Sequence, residues 1–297
     1  VYLMNPKKCI LVTGASGLVG RSLKNLLTAG GHEVRTLSRK NGDHLWDVNH
    51  GQMDADVLKG VDCVVHLAGE TIAQRWTQAS KKRILSSRVD STRLLVEGIL
   101  AADRPIDFIC ASGVNYYGHQ CGDGQTEQSD AGVGFLAEVC QKWEAAHKPL
   151  ADSGLRTVSL RIGVVLSPEG GAVKRLLPIF PAGLGGAAGP GSELMRWVRF
   201  PALGSIVRPL IVTPELKGPI NAVSPHPVSN ANFSRSFGRS LSRPAIFPIP
   251  GIMLRLLYGD MADETILSHI GAVPNVLQES GIDRIEAHPG IGAERFG

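Results

Sequence analysis

The stretch CILVTGASGLVG, residues 9–20, decides the fold of this chain. An apolar run typical of a buried strand passes into a turn with three glycines, and leucines and valines at helical spacing follow. Gly14 permits a tight turn, Gly17 lets backbone N–H groups approach a pyrophosphate, and Gly20 lets the helix pack flush on the strand. The positive end of that helix favours phosphate. The pattern predicts a dinucleotide-binding βαβ unit; a glycine turn without a ligand is the alternative.

The end of the next predicted strand distinguishes between cofactors. Residues 33–37 read as that strand, and Ser38, Arg39 and Lys40 follow it. In NAD-binding proteins an Asp or Glu at this point accepts hydrogen bonds from the ribose 2′-hydroxyl. A hydroxyl and a guanidinium bind a phosphate instead, so the sequence favours NADP(H). A solvated basic loop is the alternative.

Composition excludes several classes of protein. The chain has 297 residues and a formal net charge of only +4, with scattered basic residues, which argues against nucleic-acid binding. No apolar stretch approaches the ~20 residues that cross a bilayer. The five cysteines are an odd number at no metal-ligand spacing. We therefore expect a cytoplasmic protein that acts on a small-molecule substrate, with no metal site, membrane segment or nucleic-acid partner.

Strand and helix signals alternate along the chain. Residues 61–69, 106–112 and 155–165 read as buried strands, and residues 83–101 and 134–146 read as helices. Alternation of this kind predicts an α/β fold with a doubly wound parallel sheet that binds ligands at the carboxyl ends of its strands.

A glycine- and proline-rich segment interrupts this alternation and indicates a second region. Residues 167–199 read as a lid or loop layer over the cleft, residues 220–223 as a strand returning to the sheet, and Ser229 or Asn230 as the cap of a helix that ends near Leu241. We predict a dinucleotide-binding Rossmann domain at 7–166, joined by 220–241. A substrate or lid region with a C-terminal module takes 167–219 and 242–297.

Several motifs together resemble a known family. Besides the glycine turn they are HLAGE at 66–70, Ser87-Arg88, Tyr116-Tyr117-Gly118, Trp143-Glu144 and LRIGVVL at 160–166. Over nearly the whole chain the sequence resembles the atypical extended short-chain dehydrogenase/reductases, in the branch labelled sugar-nucleotide epimerase-like or "cell division inhibitor-like".

The resemblance implies cofactor contacts by position. Ser38 and Arg39 match residues that grip the 2′-phosphate. Leu67 and Ala68 match the turn beside the adenosine ribose, and Val165 matches a residue beside the nicotinamide. The full set of expected contacts is Gly14, Ser16, Gly17, Leu18, Val19, Ser38, Arg39, Lys40, Leu67, Ala68, Gly69, Glu70, Arg88, Ala111 and Val165.

Arg88 stands where most extended members of the superfamily have Asn, and where the branch that this chain resembles has Arg. Its guanidinium could reach the cofactor phosphates or a substrate anion. A surface salt bridge is the alternative.

The catalytic pair of the superfamily is missing. Its reductases and epimerases use Tyr-x-x-x-Lys, in which the ammonium lowers the pKa of the phenol. The four tyrosines here are Tyr2, Tyr116, Tyr117 and Tyr258, and the residues four positions on are Pro6, Gln120, Cys121 and Ala262. The helix that should carry the pair has Phe135 or Leu136 at the tyrosine position and Val139 or Cys140 at the lysine position.

Ser112, Tyr116 and Tyr117 are the catalytic candidates and Cys140 is a further one, each with a structural alternative. Ser112, at a strand end, could orient a carbonyl or bond to the backbone. Tyr116 and Tyr117 could donate a proton or pack under the loop. Cys140 could act as a thiol acid or be core.

Three loop residues, His119, Asp123 and Glu127, also stay open between acid/base and solvated roles. Two function classes therefore remain: an NADP(H)-dependent epimerase-like oxidoreductase with a non-standard proton donor, and a non-catalytic NADP(H)-binding sensor or regulatory protein.

Overall fold

The apolar run at the start of the chain is a central, fully buried strand of the main sheet. The computed structural model describes residues 7–282. Its strands, in chain order, are β1 (Cys9–Thr13), β2 (Glu33–Ser38), β3 (His44–Asp47), β4 (Gln52–Met53), β5 (Cys63–His66), β6 (Asp107–Gly113), β7 (Gln120–Gln125), β8 (Thr157–Ile162), β9 (Val164–Leu166), β10 (Leu194–Met195), β11 (Trp197–Arg199), β12 (Gly218–Ala222), β13 (Val228–Ser229) and β14 (His269–Ala272).

The main sheet has eight strands in the order β12-β8-β6-β5-β1-β2-β3-β4. Neighbouring strands are parallel except β3 and β4. The chain runs outward from β1 to β4 and then crosses back to β5, so the order reverses between β1 and β5, where such folds bind ligands. Thr13 pairs with His66, and His66 pairs with Cys110, so the carboxyl ends of β1, β5 and β6 meet at one edge. The predicted doubly wound parallel sheet is confirmed.

Helices cover both faces of the main sheet. They are α1 (Leu18–Ala29), α2 (Gln78–Leu100), α3 (Phe135–Ala146), α4 (Lys148–Asp152), α5 (Gly171–Leu176), α6 (Phe200–Val212), α7 (Asn230–Ser240), α8 (Gly251–Tyr258) and α9 (Asn275–Glu279). Short 3₁₀ helices span Val48–His50 and Val114–Tyr117, and a π-helix spans Ala262–Ile266. Leucines of α1 and α6 pack on one face, and apolar residues of α2 and α3 on the other. Within 7–282, no helix has the length and apolar character needed to cross a bilayer.

Several predicted elements differ from the structure in their bounds: the strand predicted at 61–69 is shorter, Cys63–His66, and two others differ for reasons visible in the structure. The strand predicted at 155–165 breaks at Gly163, and the N–H of the next residue, Val164, donates to the Arg196 carbonyl oxygen at 2.7 Å. The chain then leaves the main sheet as β9, which pairs with β11. Helix α2 begins before the predicted residue 83, because Thr77 and Ser80 form a capping box with reciprocal side chain to backbone bonds of 2.8 and 3.2 Å.

The segment predicted as a lid, residues 167–199, contributes to a second, smaller core. Phe180 is buried and packs edge to face on Phe237 of α7, with ring centroids 4.7 Å apart. Helix α7 is capped by Ser229, one of the two predicted caps, and it packs in the smaller core, whereas β12 joins the main sheet. Helix α6 packs on the main sheet although the prediction assigns it to the lid region. The exact domain boundaries stay a prediction, and residues 283–297 of the C-terminal module lie outside the described residues.

Candidate functional site

The glycine turn has the tight geometry that the sequence predicts. Gly14 has a left-handed φ of +67°, and a Cβ there would lie 2.8 Å from the carbonyl of Leu67. A Cβ at Gly20 would lie 2.2 Å from the Gly14 carbonyl oxygen. Gly17 donates its N–H to that same oxygen at 3.0 Å and is exposed on its outer side. Side chains at positions 14 and 20 would push α1 and the turn apart.

The N-terminus of α1 fits the phosphates of a dinucleotide. No side chain caps it and its first turn has no acidic residue. Its first N–H groups therefore point at the strand edge with the positive end of the helix dipole behind them. Ser16 and Gly17 are exposed beside this end, and Leu18 and Val19 are half-buried. The side chain of Leu18 contacts the segment at Gly170, where a Cβ would lie 3.1 Å from it.

The end of β2 presents two exposed cations to the same cleft. Ser38 is half-buried and its hydroxyl accepts from the Asn41 N–H at 3.1 Å. Arg39 and Lys40 are exposed, and neither makes an ion pair with a residue between 7 and 282. A hydrogen bond from Gln74 chiefly lowers the pKa of Glu70, and the charge of Arg39 contributes to the shift. The charge of Arg39 is thus felt by a carboxylate in the turn after β5, a turn that the sequence also predicts to contact the cofactor.

A buried hydrogen-bond chain fixes that turn. The hydroxyl of Thr13 accepts from the N–H groups of Leu67 and Ala68, at 3.1 and 3.2 Å, and lies 2.7 Å from Nδ1 of His66. Because this oxygen already accepts two bonds, its own hydrogen goes to Nδ1, which places the imidazole hydrogen on Nε2, 3.2 Å from the Ser91 hydroxyl. Burial lowers the pKa of His66 to about 3, so the ring is neutral. These buried hydrogen bonds therefore hold the turn beside the expected ribose in a single conformation.

The rest of the expected cofactor set surrounds this turn. The Glu70 N–H donates to the Ser87 hydroxyl at 2.9 Å, and Gly69 is exposed. Among residues 7–282 Arg88 does not form the surface salt bridge considered as its alternative: it is half-buried, with its guanidinium carbon 5.0 Å from the ring centroid of Trp143. Two further members lie on strands of different sheets: Ala111 is buried in β6 of the main sheet, and Val165 is half-buried in β9.

The catalytic candidate Ser112 bonds to a side chain rather than to the backbone. Its hydroxyl donates to Oε1 of Glu144 at 2.7 Å, and Arg161 donates to Oε1 and Oε2 of Glu144 at 2.9 and 2.8 Å. Burial alone would lower the pKa of Arg161, but the hydrogen bonds to Glu144 raise it, so the pair stays charged. Because the Ser112 hydrogen is held by a carboxylate, the hydroxyl is left to accept a hydrogen bond from a ligand.

The two tyrosine candidates lie beside the same arginine. The Tyr117 hydroxyl donates to Oδ1 of Asn221 at 2.8 Å and accepts from Arg161 at 2.9 Å. Burial raises the pKa of Tyr117. The ring of Tyr116 is half-buried, 3.5 Å from the Arg161 guanidinium carbon, and faces a cavity of about 380 Å³ that Glu144 also lines. Contacts thus favour packing for Tyr117, while the Tyr116 hydroxyl bonds to nothing in the described chain.

The other acid/base candidates fall into different environments. Burial raises the pKa of Cys140 to about 11, as expected for a neutral core thiol. Glu127 is not a solvated loop residue: it is buried, accepts from the Asn221 N–H at 3.0 Å, and has its pKa raised by burial. Asp123 is exposed and His119 is half-buried.

The sequence reasoning missed the roles of three residues: Arg161 and the carboxylates Glu144 and Glu264. Glu144 and Arg161 occur in the quoted motifs, but nothing in their spacing indicates a pair. Glu264, in the π-helix, accepts from the N–H groups of Phe135 and Leu136 at 2.8 and 2.7 Å and so caps α3. The absence of a capping residue before α3, where Gly134 stands, is the one available signal.

Comparisons with known proteins place this geometry in a family. The model of the "NAD dependent epimerase/dehydratase family" matches residues 10–184. The epimerase family protein Mb2239 of Mycobacterium bovis is 39% identical over 281 residues, which cover 92% of each chain. The human epimerase family protein SDR39U1 is 33% identical over 291 residues, 96% of this chain and 97% of that protein.

A solved structure supports the same relation. The crystal structure of human SDR39U1 (isoform 2) with NADPH has a TM-score of 0.85 and 31% identity, and covers 93% of this chain and 98% of that one. Both the sequence and the fold of this chain are therefore similar to those of SDR39U1. The chain belongs to the NAD dependent epimerase/dehydratase family, as an atypical epimerase-like short-chain dehydrogenase/reductase.

Proposed function

We propose that this protein binds NADP(H) at the carboxyl edge of its main sheet and acts as an epimerase-like oxidoreductase on a small carbonyl, hydroxyl or nucleotide-sugar substrate. The observation that carries the proposal is the uncapped N-terminus of α1 beside Arg39, an exposed cation without an acidic partner between residues 7 and 282. The NADPH in the human SDR39U1 structure supports the same cofactor. The five free cysteines, four of them buried, support a reducing, cytoplasmic setting.

Each part of the cleft has a separate task in this proposal. The first turn of α1 binds the diphosphate, Ser38 and Arg39 bind the 2′-phosphate, and the turn held by Thr13 positions the ribose. When bound, the cofactor supplies the hydride chemistry. Ser112 orients a substrate hydroxyl by accepting a hydrogen bond from it, because Ser112 donates its own hydrogen to Glu144. The proton that the substrate hydroxyl loses passes to water or to a non-standard side chain.

Cofactor preference tests the first part of the proposal. We expect NADPH to bind more tightly than NADH, and Arg39→Asp to lower NADPH affinity roughly ten- to hundredfold through loss of a charge-assisted bond. Arg93→Asp is the matched control, because it makes the same change of charge at an exposed residue of α2. Equal affinities of the unaltered protein for NADPH and NADH, measured by calorimetry, would refute the assignment.

A non-catalytic NADP(H)-binding role is the second candidate. It is favoured by the engagement of Ser112 and Tyr117 with other side chains, and by Glu264, which ties the C-terminal segment to the start of α3. NADPH and a panel of carbonyl compounds and nucleotide sugars separate the two roles. Turnover that disappears in Tyr116→Phe supports the enzyme; absence of turnover across the panel supports the sensor.

A further inference from the structure

Large apolar side chains are exposed together in the region that contains helix α8. Ten large apolar residues are exposed between 7 and 282, and seven of them, which we call the apolar patch, are Leu184, Ile246, Phe247, Ile252, Met253, Leu256 and Leu257. Leu256 is 78% exposed and Ile252 is 69% exposed. No member of the patch belongs to the expected cofactor set, so binding of NADP(H) does not account for its exposure.

Three segments of the chain bring the apolar patch together. The N–H of Phe247 donates to the carbonyl oxygen of Gly185, the residue after Leu184, at 3.2 Å. Helix α8 begins shortly after Phe247, and its one buried side chain, Leu254, packs in the same small core as Ala188. The helix therefore lies beside the two bonded segments, and the exposed side chains of all three share one region of the surface.

The exposed residues of α8 form one face of the helix. At about 100° per residue, Ile252, Met253, Leu256 and Leu257 fall within an arc of roughly 140°. Leu254 lies outside this arc and is buried. A surface helix ordinarily turns its apolar stripe toward the core and its charged residues toward water. In α8 the stripe is turned outward, as in a helix that packs on a second molecule.

The size of the apolar patch suits a protein interface. Taking roughly 180 Å² for a fully exposed residue of this size, the seven residues present on the order of 800 Å². The largest apolar patch on a typical monomer is about 300–600 Å². A stable interface buries about 800 Å² on each partner. The patch is therefore larger than a monomer ordinarily exposes to water, and it equals one side of a dimer interface of standard size.

The charges next to α8 favour a protein partner over a lipid surface. Arg255 pairs with Asp263 at 2.9 Å, and Asp260, just after the helix, pairs with Lys81 of α2 at 2.8 Å. A helix that binds anionic lipid has unpaired lysines and arginines around its apolar face. Here each of these cations has an acid beside it, so two identical surfaces related by a twofold axis can bring opposite charges together.

The ends of the chain are poorly suited to cover the apolar patch. Residues 1–6 precede β1 at the amino edge of the main sheet, whereas Asp260 bonds to Lys81 in the first turn of α2, beyond the carboxyl edge. Six residues span at most about 20 Å even when extended, too little to cross the sheet and cover the patch. Residues 283–297 contain five charged residues and three large apolar ones, too few to match it.

We propose that the apolar patch is a homodimer interface, in which α8 packs on α8 of a second copy of this chain about a twofold axis. A contact of this symmetry brings the same stripe of both helices together and buries both patches at once. Leu256, the most exposed member, lies at its centre. The inference is independent of the proposed function, because it requires no cofactor in the cleft.

Sedimentation velocity of the full chain over a range of concentrations tests the proposal. We expect a dimer that dissociates at micromolar concentration or below, the range of interfaces of this size. Leu256→Asp should raise the dissociation constant roughly hundredfold or more, because a twofold interface contains the introduced charge twice. Leu100→Asp is the matched control: it changes an exposed leucine of α2 outside the patch and should leave the dimer unchanged.

The contrary outcomes are equally definite. A monomer at every concentration up to roughly 100 μM overturns the proposal. A dimer that Leu256→Asp leaves intact, or that Leu100→Asp weakens as strongly, overturns it as well. So does a monomer that co-sediments with vesicles of phosphatidylserine and phosphatidylcholine and loses this binding in Leu256→Asp, since the patch would then contact lipid. If Leu256→Asp lowers the unfolding temperature, Leu256→Gln replaces it, and an unchanged dissociation constant in that variant overturns the proposal.

Discussion

Two neighbouring regions at one edge of the sheet satisfy their polar groups in opposite ways. In the phosphate turn, residues 14–20, the donors at the start of α1 have no capping side chain. In the polar corner, which comprises Ser112, Glu144, Arg161 and Tyr117, each side chain bonds to another member. Donors without protein partners form their hydrogen bonds when a ligand binds, whereas paired groups form theirs when the chain folds. Ligand binding is therefore expected to depend on the turn, and stability on the corner.

The largest effect is expected from breaking the polar corner. Arg161→Met leaves the half-buried carboxylate of Glu144 without its partner, which should lower the free energy of unfolding by about 3–5 kcal/mol. The exposed pair of Arg93 with Asp90, 4.0 Å apart, gives a matched control, and Arg93→Met should cost at most about 0.5 kcal/mol. Denaturant titration measures both. The comparison fails if Arg161→Met costs no more than the control, or if the folded variant loses NADPH affinity as strongly as Arg39→Asp.

This difference between the regions also explains how far the sequence could predict the molecule. The phosphate turn is local: its strand, glycines and helix are contiguous, so residue types alone predict its geometry. The polar corner is not local, because Ser112 and Glu144 are 32 residues apart in sequence and their bond forms only after β6 and α3 pack. Sequence patterns identify Ser112 as a strand-end residue, but they do not show where its hydroxyl donates.

The C-terminal segment was equally beyond prediction. The carboxylate of Glu264 accepts from the N–H of Phe135, 129 residues away in sequence, and so caps α3. It lies in a π-helix that no sequence periodicity indicates. The predicted strand through Gly163 fails for the same kind of reason. Its residues suit a continuous strand, but Val164 donates its N–H to the carbonyl of Arg196, far along the chain, and β9 pairs with β11.

A second effect is expected from a single methyl group in the phosphate turn. Gly20→Ala places a Cβ at 2.2 Å from the Gly14 carbonyl oxygen, so the turn and α1 must separate. We expect NADPH binding to be lost and the free energy of unfolding to fall by about 3 kcal/mol, the upper end for overpacking. At Gly17 the corresponding distance is 3.2 Å, and Gly17→Ala should cost less than about 1 kcal/mol. Equal costs for the two variants would contradict the close helix packing proposed for Gly20.

The smallest effect concerns His66, whose hydrogen bond to Thr13 holds the ribose turn in place. Its pKa falls from the ordinary 6.5 to about 3 on burial, so below pH 6.5 the unfolded chain binds a proton that the folded chain does not. Its contribution to stability is therefore complete above pH 6.5 and is lost as the pH falls toward 3. Between about pH 7.5 and pH 5 the loss should be about 2 kcal/mol.

Burial also lowers the pKa of His147, which adds a loss of the same sign. The contribution of His66 is separated by His66→Gln, which removes one titrating group and should flatten the dependence of the unfolding free energy on pH by that amount. If the dependence on pH is unchanged in this variant, folding does not lower the pKa of His66, and the ring is protonated in the folded protein below pH 6.5. The neutral His66 tautomer, which lets the Thr13 hydroxyl accept from the N–H groups of Leu67 and Ala68, would then be excluded. Only the close approach of Gly14 would then hold the ribose turn in its conformation.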